Sequence, residues 1–144
     1  MSGTWLYGEG TTDYVAATPA LIVTFRASGS IAAGRTVTQD NLANGDVYQP
    51  IAATVSGGNV PTGLALKTVS DGEDIPVLVW GYAKNVAIKD GGSVGRPGYS
   101  LIMTGAGYLA PTGSMSHSYV SKGFAGKYLS GSTSTCWAFI DCTR

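Results

Sequence analysis

Few residues in this chain can do chemistry, and their spacing decides what they can be. Its one histidine is His117. It sits in a Ser-rich run with no carboxylate or cysteine near it in sequence, the setting of a solvated side chain. The two cysteines, Cys136 and Cys142, flank Trp137-Ala138-Phe139-Ile140-Asp141. That segment alternates as a strand does, with Cys136, Ala138, Ile140 and Cys142 on one face. A strand rises about 3.3 Å per residue, so the two sulfurs stand roughly 20 Å apart along it. A disulfide needs Cα atoms within about 7 Å. Two buried free thiols are therefore expected.

No Cys/His cluster has the spacing of a metal site. No phosphate-cradling loop or nucleophile elbow is present. The densest set of oxygens is Asp71-Gly72-Glu73-Asp74. It lacks the full ligand spacing of a calcium loop and reads as a turn between Val69 and Ile75. Gly8-Glu9-Gly10 and Gly105-Ala106-Gly107 do not join a strand to a helix, so neither is a dinucleotide fingerprint. No catalytic residue, cofactor-binding residue or metal ligand is expected, and the chain reads as non-enzymatic.

The composition agrees with a sticking rather than a reacting surface. The 144 residues make one ordinary domain. Charged residues make up 12%, about half the usual ~25%. Nine basic residues balance nine acidic ones, for a formal net charge of zero. A free monomer of this kind has little electrostatic protection against association. The surface reads as one covered in an assembly; a neutral secreted domain rich in Ser and Thr is the plainer alternative. Without a basic excess, nucleic acid is not an expected partner. No apolar run approaches 18 residues, so no membrane span is expected. The N-terminus lacks a charged region followed by an apolar core, so synthesis in a cytoplasm is expected.

The elements that must position these residues are strands. The 21 glycines and 6 prolines leave almost no stretch long enough for a helix. Short runs rich in Val, Ile, Thr, Tyr and Trp fill the gaps, the pattern of an all-β sandwich or barrel. Strands are expected at 21–27, 35–39, 47–51, 64–69, 75–83, 85–89, 99–103, 126–129 and 135–142, with a short helical turn at 40–42. In the strongest, Ile75, Val77 and Val79 line one face and Leu78, Trp80 and Tyr82 the other. With both faces apolar, it is read as central, or as sandwiched between its own core and a neighbouring subunit. A weak repeat recurs at Gly29 to Gly34, Gly58 to Gly63 and Gly92 to Gly98. In each, a glycine allows a positive φ, an Ile or Val pins the loop to the core, and a second glycine allows the turn into a strand.

Two stretches alternate poorly. Residues 1–19 hold Trp5, Tyr7 and Tyr14 and are read as an extended N-terminal arm or else a first strand of the barrel, with residues 20–144 as a single β domain. Residues 105–123 are read as a long surface loop. Trp and Tyr anchor interfaces at low entropic cost. Trp5, Tyr7 and Tyr14 are therefore the expected arm contacts, and Trp80 or Tyr82 the expected subunit-interface contacts. With eight tyrosines, sugar binding by stacking is a further option.

Val23-Thr24-Phe25-Arg26-Ala27-Ser28-Gly29-Ser30-Ile31-Ala32-Ala33-Gly34-Arg35-Thr36-Val37, the run from Gly63 to Val77, Gly81 to Val86, the turn at Gly92 to Gly98 and the closing strand resemble the small head-decoration (cement) proteins of tailed phages. The resemblance is one of pattern, over about residues 20 to 103 plus the C-terminus. It implies a compact β-barrel-like subunit, commonly a homotrimer, that binds the major capsid protein on the outside of the shell and stabilises it. The expected place is the virion exterior. The alternative is a head-fibre, tail-fibre or adhesin module that binds host glycans. The N-terminal arm and the 105–123 segment depart from the decoration-protein pattern.

Overall fold

A computed structural model describes residues 2–6, 15–39, 45–48, 60–89, 97–112, 124–132 and 134–143. Among these residues the regular structure is strand, apart from one 3-10 turn at Gly105–Gly107. The strands are β1 (Ser2–Leu6), β2 (Val15–Arg26), β3 (Thr36–Gln39), β4 (Val47–Tyr48), β5 (Pro61–Ala65), β6 (Asp74–Ala87), β7 (Ser100–Met103), β8 (Leu109–Thr112), β9 (Phe124–Gly131) and β10 (Thr135–Asp141). They form one antiparallel sheet in the order β4-β3-β5-β6-β10-β9-β7-β8, with β2 also on β6 and β1 on β2. The chain is an all-β domain, as its composition predicts.

The fourteen-residue β6 organises the sheet. One of its edges is taken by β2 from Arg26↔Asp74 to Val15↔Ala83. The other edge is shared end to end. Strand β5 holds Val77 and Leu78, and β10 holds Trp80 to Ala87. Each half then curls back on itself. A parallel bridge joins Ala27 to Val47, returning β4 to the end of β2. Another joins Ile88 to Leu109, returning β8 to the end of β6. Two nearly closed halves thus share one long strand.

Each half has its own core. The smaller gathers Phe25, Ala27, Ile31, Val37, Val47, Ala65, Val69, Ile75 and Val77. The larger is built on Leu64, Leu78, Val86, Leu101, Leu109, Tyr128 and Ile140, with Cys136 among them. The stretch Ile75–Leu78 is a wall between the two: Ile75 and Val77 enter one core, Leu78 the other. That is why its sequence is apolar on both faces. Each such side chain, fully buried, stabilises by about 1.5–3 kcal/mol, so alternation here is held by burial on both sides.

A second contact staples the halves together. The Ala87 amide donates to the Gly34 carbonyl at 2.9 Å. The Arg35 guanidinium lies 3.6 Å above the Tyr108 ring centre, donates to the Ala106 carbonyl at 2.8 Å, and donates to the Tyr108 hydroxyl. The Thr36 hydroxyl, buried, donates to the Gly107 carbonyl at 2.9 Å. Ala106 sits at φ 58°, a left-handed value unusual for a residue with a Cβ.

The repeat is a real structural device only in part. Gly29, Gly34 and Gly98 take φ of +89°, +82° and +88°. Ile31 is buried and bridges Val69. Val60, however, is 56% exposed and pins nothing. Gly63 serves close approach instead: a Cβ there would lie 2.5 Å from the Leu78 carbonyl oxygen. Gly58, Gly92 and Val94 lie outside the described residues.

Several expected boundaries shift. The strands expected at 75–83 and 85–89 are one strand, β6, because Asn85 (φ 59°) is absorbed as a bulge rather than ending the ladder. Residues 105–112 are not surface loop: they are the Arg35-clamped turn and β8, whose Leu109 is fully buried. Residues 113–123, with His117, lie outside the described residues, as do 40–42. Residues 2–6 and 15–19 are strand in the same sheet as the rest, so the boundary expected after residue 19 falls inside β2. Asp71–Asp74 is a turn, as its sequence suggests. Gly72 (φ 80°) donates to the Ala27 carbonyl at 2.8 Å, and Asp71 accepts from the Gly29 amide at 2.7 Å.

Candidate binding face

The face is created by a one-residue slip in β6. Leu21 pairs with Trp80 while Ile22 pairs with Leu78, so Val79 has no partner of its own on β2. Such a bulge exchanges the two faces of everything beyond it. Before it, the even-numbered Leu78 points into the larger core. After it, the odd-numbered Ala83 does, opposite Ala138 of β10. Trp80 and Tyr82 therefore leave the core face. The strict alternation read from the sequence, with Leu78, Trp80 and Tyr82 together and Val79 beside Val77, is corrected here by the bulge.

Strand β10 meets them from the other side. Cys136, Ala138 and Ile140 are buried, as their alternation predicts. Phe139 then falls on the outer face, opposite Tyr82. Its ring packs edge-on against Trp80 (centroids 5.2 Å, planes at 88°) and against Tyr82 (5.1 Å, 64°). Such pairs stabilise by about 0.5–1.5 kcal/mol beyond area burial and hold the rings in place. Tyr82 is 42% exposed and Trp137, one step along β10, 48% exposed. Lys127 lies opposite Phe139 on β9, and Asp141 opposite Trp80. The result is an outward aromatic strip with charges only at its margins.

Of the expected interface residues, the structure brings Trp80 and Tyr82 together. Trp5 lies on β1 opposite Leu21, which itself lies opposite Trp80. Tyr7 and Tyr14 lie outside the described residues. The sequence reading did not single out Phe139 and Trp137. The signal was present: once Cys136, Ala138 and Ile140 share a face, the residues between them share the other.

An open groove lined by Ser30, Ile31, Ala32, Thr68, Val69, Ser70 and Glu73 holds one ionisable side chain, the exposed Glu73. The Thr68 hydroxyl there accepts from the Ala33 amide at 3.0 Å. Among the described residues no three His, Cys, Asp or Glu side chains gather as a metal site, and no helix is long and apolar enough to cross a membrane. The thiols of Cys136 and Cys142 are free. Burial pushes both up to about 12, with the Asp141 charge adding to the effect at Cys142. At neutral pH they are protonated and poor nucleophiles.

The fold and this face define a class: a compact all-β module whose most developed feature is an aromatic surface rather than a reactive cleft. No protein-family model matches the chain, and no curated protein matches it. Among solved structures the chain is similar to the N base of the head fibre protein gp8.5 of bacteriophage phi29. The likeness covers 87% of this chain and 97% of that one, at a TM-score of 0.56 and 18% identity. At that identity the two share a fold.

Proposed function

We propose that the protein is a non-enzymatic structural subunit of a phage head, which assembles with copies of itself, as a homotrimer, on the outer surface of the capsid shell. It acts there as a cement. The observation that carries this reading is the outward strip of Trp80, Tyr82, Phe139 and Trp137, in which Tyr82 and Trp137 are exposed. Desolvated aromatics are the anchors from which protein interfaces draw most of their energy. The low charge density lowers the desolvation cost of covering that face. Repetition on a symmetric lattice multiplies weak contacts into stable occupancy. The resemblance to decoration proteins and the likeness to a head fibre base both support a place on the head.

The test is co-sedimentation with expanded, undecorated capsids. Tyr82→Ser and Trp137→Ser remove exposed rings at sites that leave both cores intact. Each is expected to stay folded and to lose at least about tenfold in capsid affinity. Capsid occupancy unchanged in the double variant would overturn the assignment. A second reading, a fibre module that binds glycans, is favoured by the flat, half-exposed Trp137 ring. It predicts sugar binding by the isolated protein that Trp137→Ser abolishes.

A further inference from the structure

We propose that β1 is an exchangeable strand: in the assembled protein, Ser2–Leu6 of one copy pairs with Ala20–Thr24 of a neighbouring copy. This rests on the self-association in the function proposed above. The observations concern edges. Both halves of the sheet return on themselves, through Ala27–Val47 and Ile88–Leu109. Among the described residues this leaves the β1 side of β2 as the edge where a strand is simply added on. Strand β1 joins the sheet through its pairing with β2.

Its docking surface is already known, because the chain itself supplies the fit. Five consecutive residues pair in register, from Ser2↔Thr24 to Leu6↔Ala20. Every copy carries the same Ala20–Thr24 edge, so the β1 of another copy fits it equally well. Exchange of identical elements is a low-cost route to closed oligomers. Strand β1, Ser-Gly-Thr-Trp-Leu, holds no charge and no proline, the usual guards against strand addition. The connection to β2 is residues 7–14, which include Gly8 and Gly10. Eight residues can span at most about 30 Å, enough to reach an adjoining subunit. Head-to-tail exchange around a ring of three copies would supply a β1 to every Ala20–Thr24 edge.

The experiment uses full-length chains carrying one new cysteine each, Ser2→Cys on one and Thr24→Cys on a second with a size tag. Facing strand residues lie at disulfide distance; of the native thiols, Cys136 is buried and Cys142 partly buried. The chains are refolded together and oxidised. A covalent hetero-dimer, and a covalent closed ring from the Ser2→Cys/Thr24→Cys double variant, is the expected result. Removal of residues 1–6 should leave a folded β protein that sediments as a monomer. An oligomer whose double variant forms only internal disulfides would overturn the exchange while leaving self-association standing. A protein monomeric at all concentrations would overturn both. Capsid co-sedimentation reads the parent proposal separately.

Discussion

Arg35 shows how one side chain can join two halves of a fold. Its guanidinium stacks on Tyr108 and donates to the Ala106 carbonyl and the Tyr108 hydroxyl. It thereby holds Ala106 in a left-handed conformation that costs about 1 kcal/mol or more. Arg35→Ala removes a cation–π contact and two hydrogen bonds from a partly buried site. A loss of about 1–3 kcal/mol in urea unfolding is expected. Arg35→Lys should recover only part of it, since an ammonium lacks the planar fork. The thiols make a second residue-scale prediction. In the folded state they hold their protons to about 12, against 9.0 when unperturbed. The folded form therefore keeps protons that the unfolded form releases. The stability this contributes is complete below about pH 9 and is lost as pH rises toward 12. A thiol reagent at pH 8 should label neither cysteine in the native protein and both after unfolding.

At the scale of elements, β6 does three jobs in sequence. Ile75 to Leu78 separates two cores, Val79 slips the register, and Trp80 to Tyr82 builds the outer face. The slip is the crucial step, because strand side chains alternate with period two and one extra residue exchanges the faces. Inserting one alanine after Val79 would turn Trp80 and Tyr82 inward against Ala138 and Ile140. Loss of the folded state by far-UV circular dichroism is expected. Val79→Ala keeps the count of residues and should cost less than about 1.5 kcal/mol. Equal effects from the two would refute the register argument. The 3-10 turn at Gly105–Gly107 illustrates the reverse case. Its own residues carry no regular pattern, and contacts from Arg35 and Thr36, seventy-one positions away, give it its shape.

For the whole molecule, balanced charge and few ionisable groups imply that the assembly proposed above would run on apolar contact. Raising NaCl from about 0.05 M to about 0.5 M screens exposed charges almost completely. Under the proposed capsid role, affinity should change by less than about threefold over that range. A fall of a hundredfold would place the binding energy in ion pairs instead.

Much of this protein was legible from residue order alone. Glycine and proline spacing excluded helices, β-branched runs located most strands, and the alternation of Cys136, Ala138 and Ile140 assigned their face correctly. Those features are local, so local sequence determines them. The two halves, the bulge at Val79, the clamp by Arg35 and the gathering of Trp80, Tyr82, Phe139 and Trp137 were decided by the tertiary structure. They arise from pairings between segments tens of residues apart. Which strand lies beside β6, and in what register, depends on how two cores fill at once, and no single window of the chain contains that information.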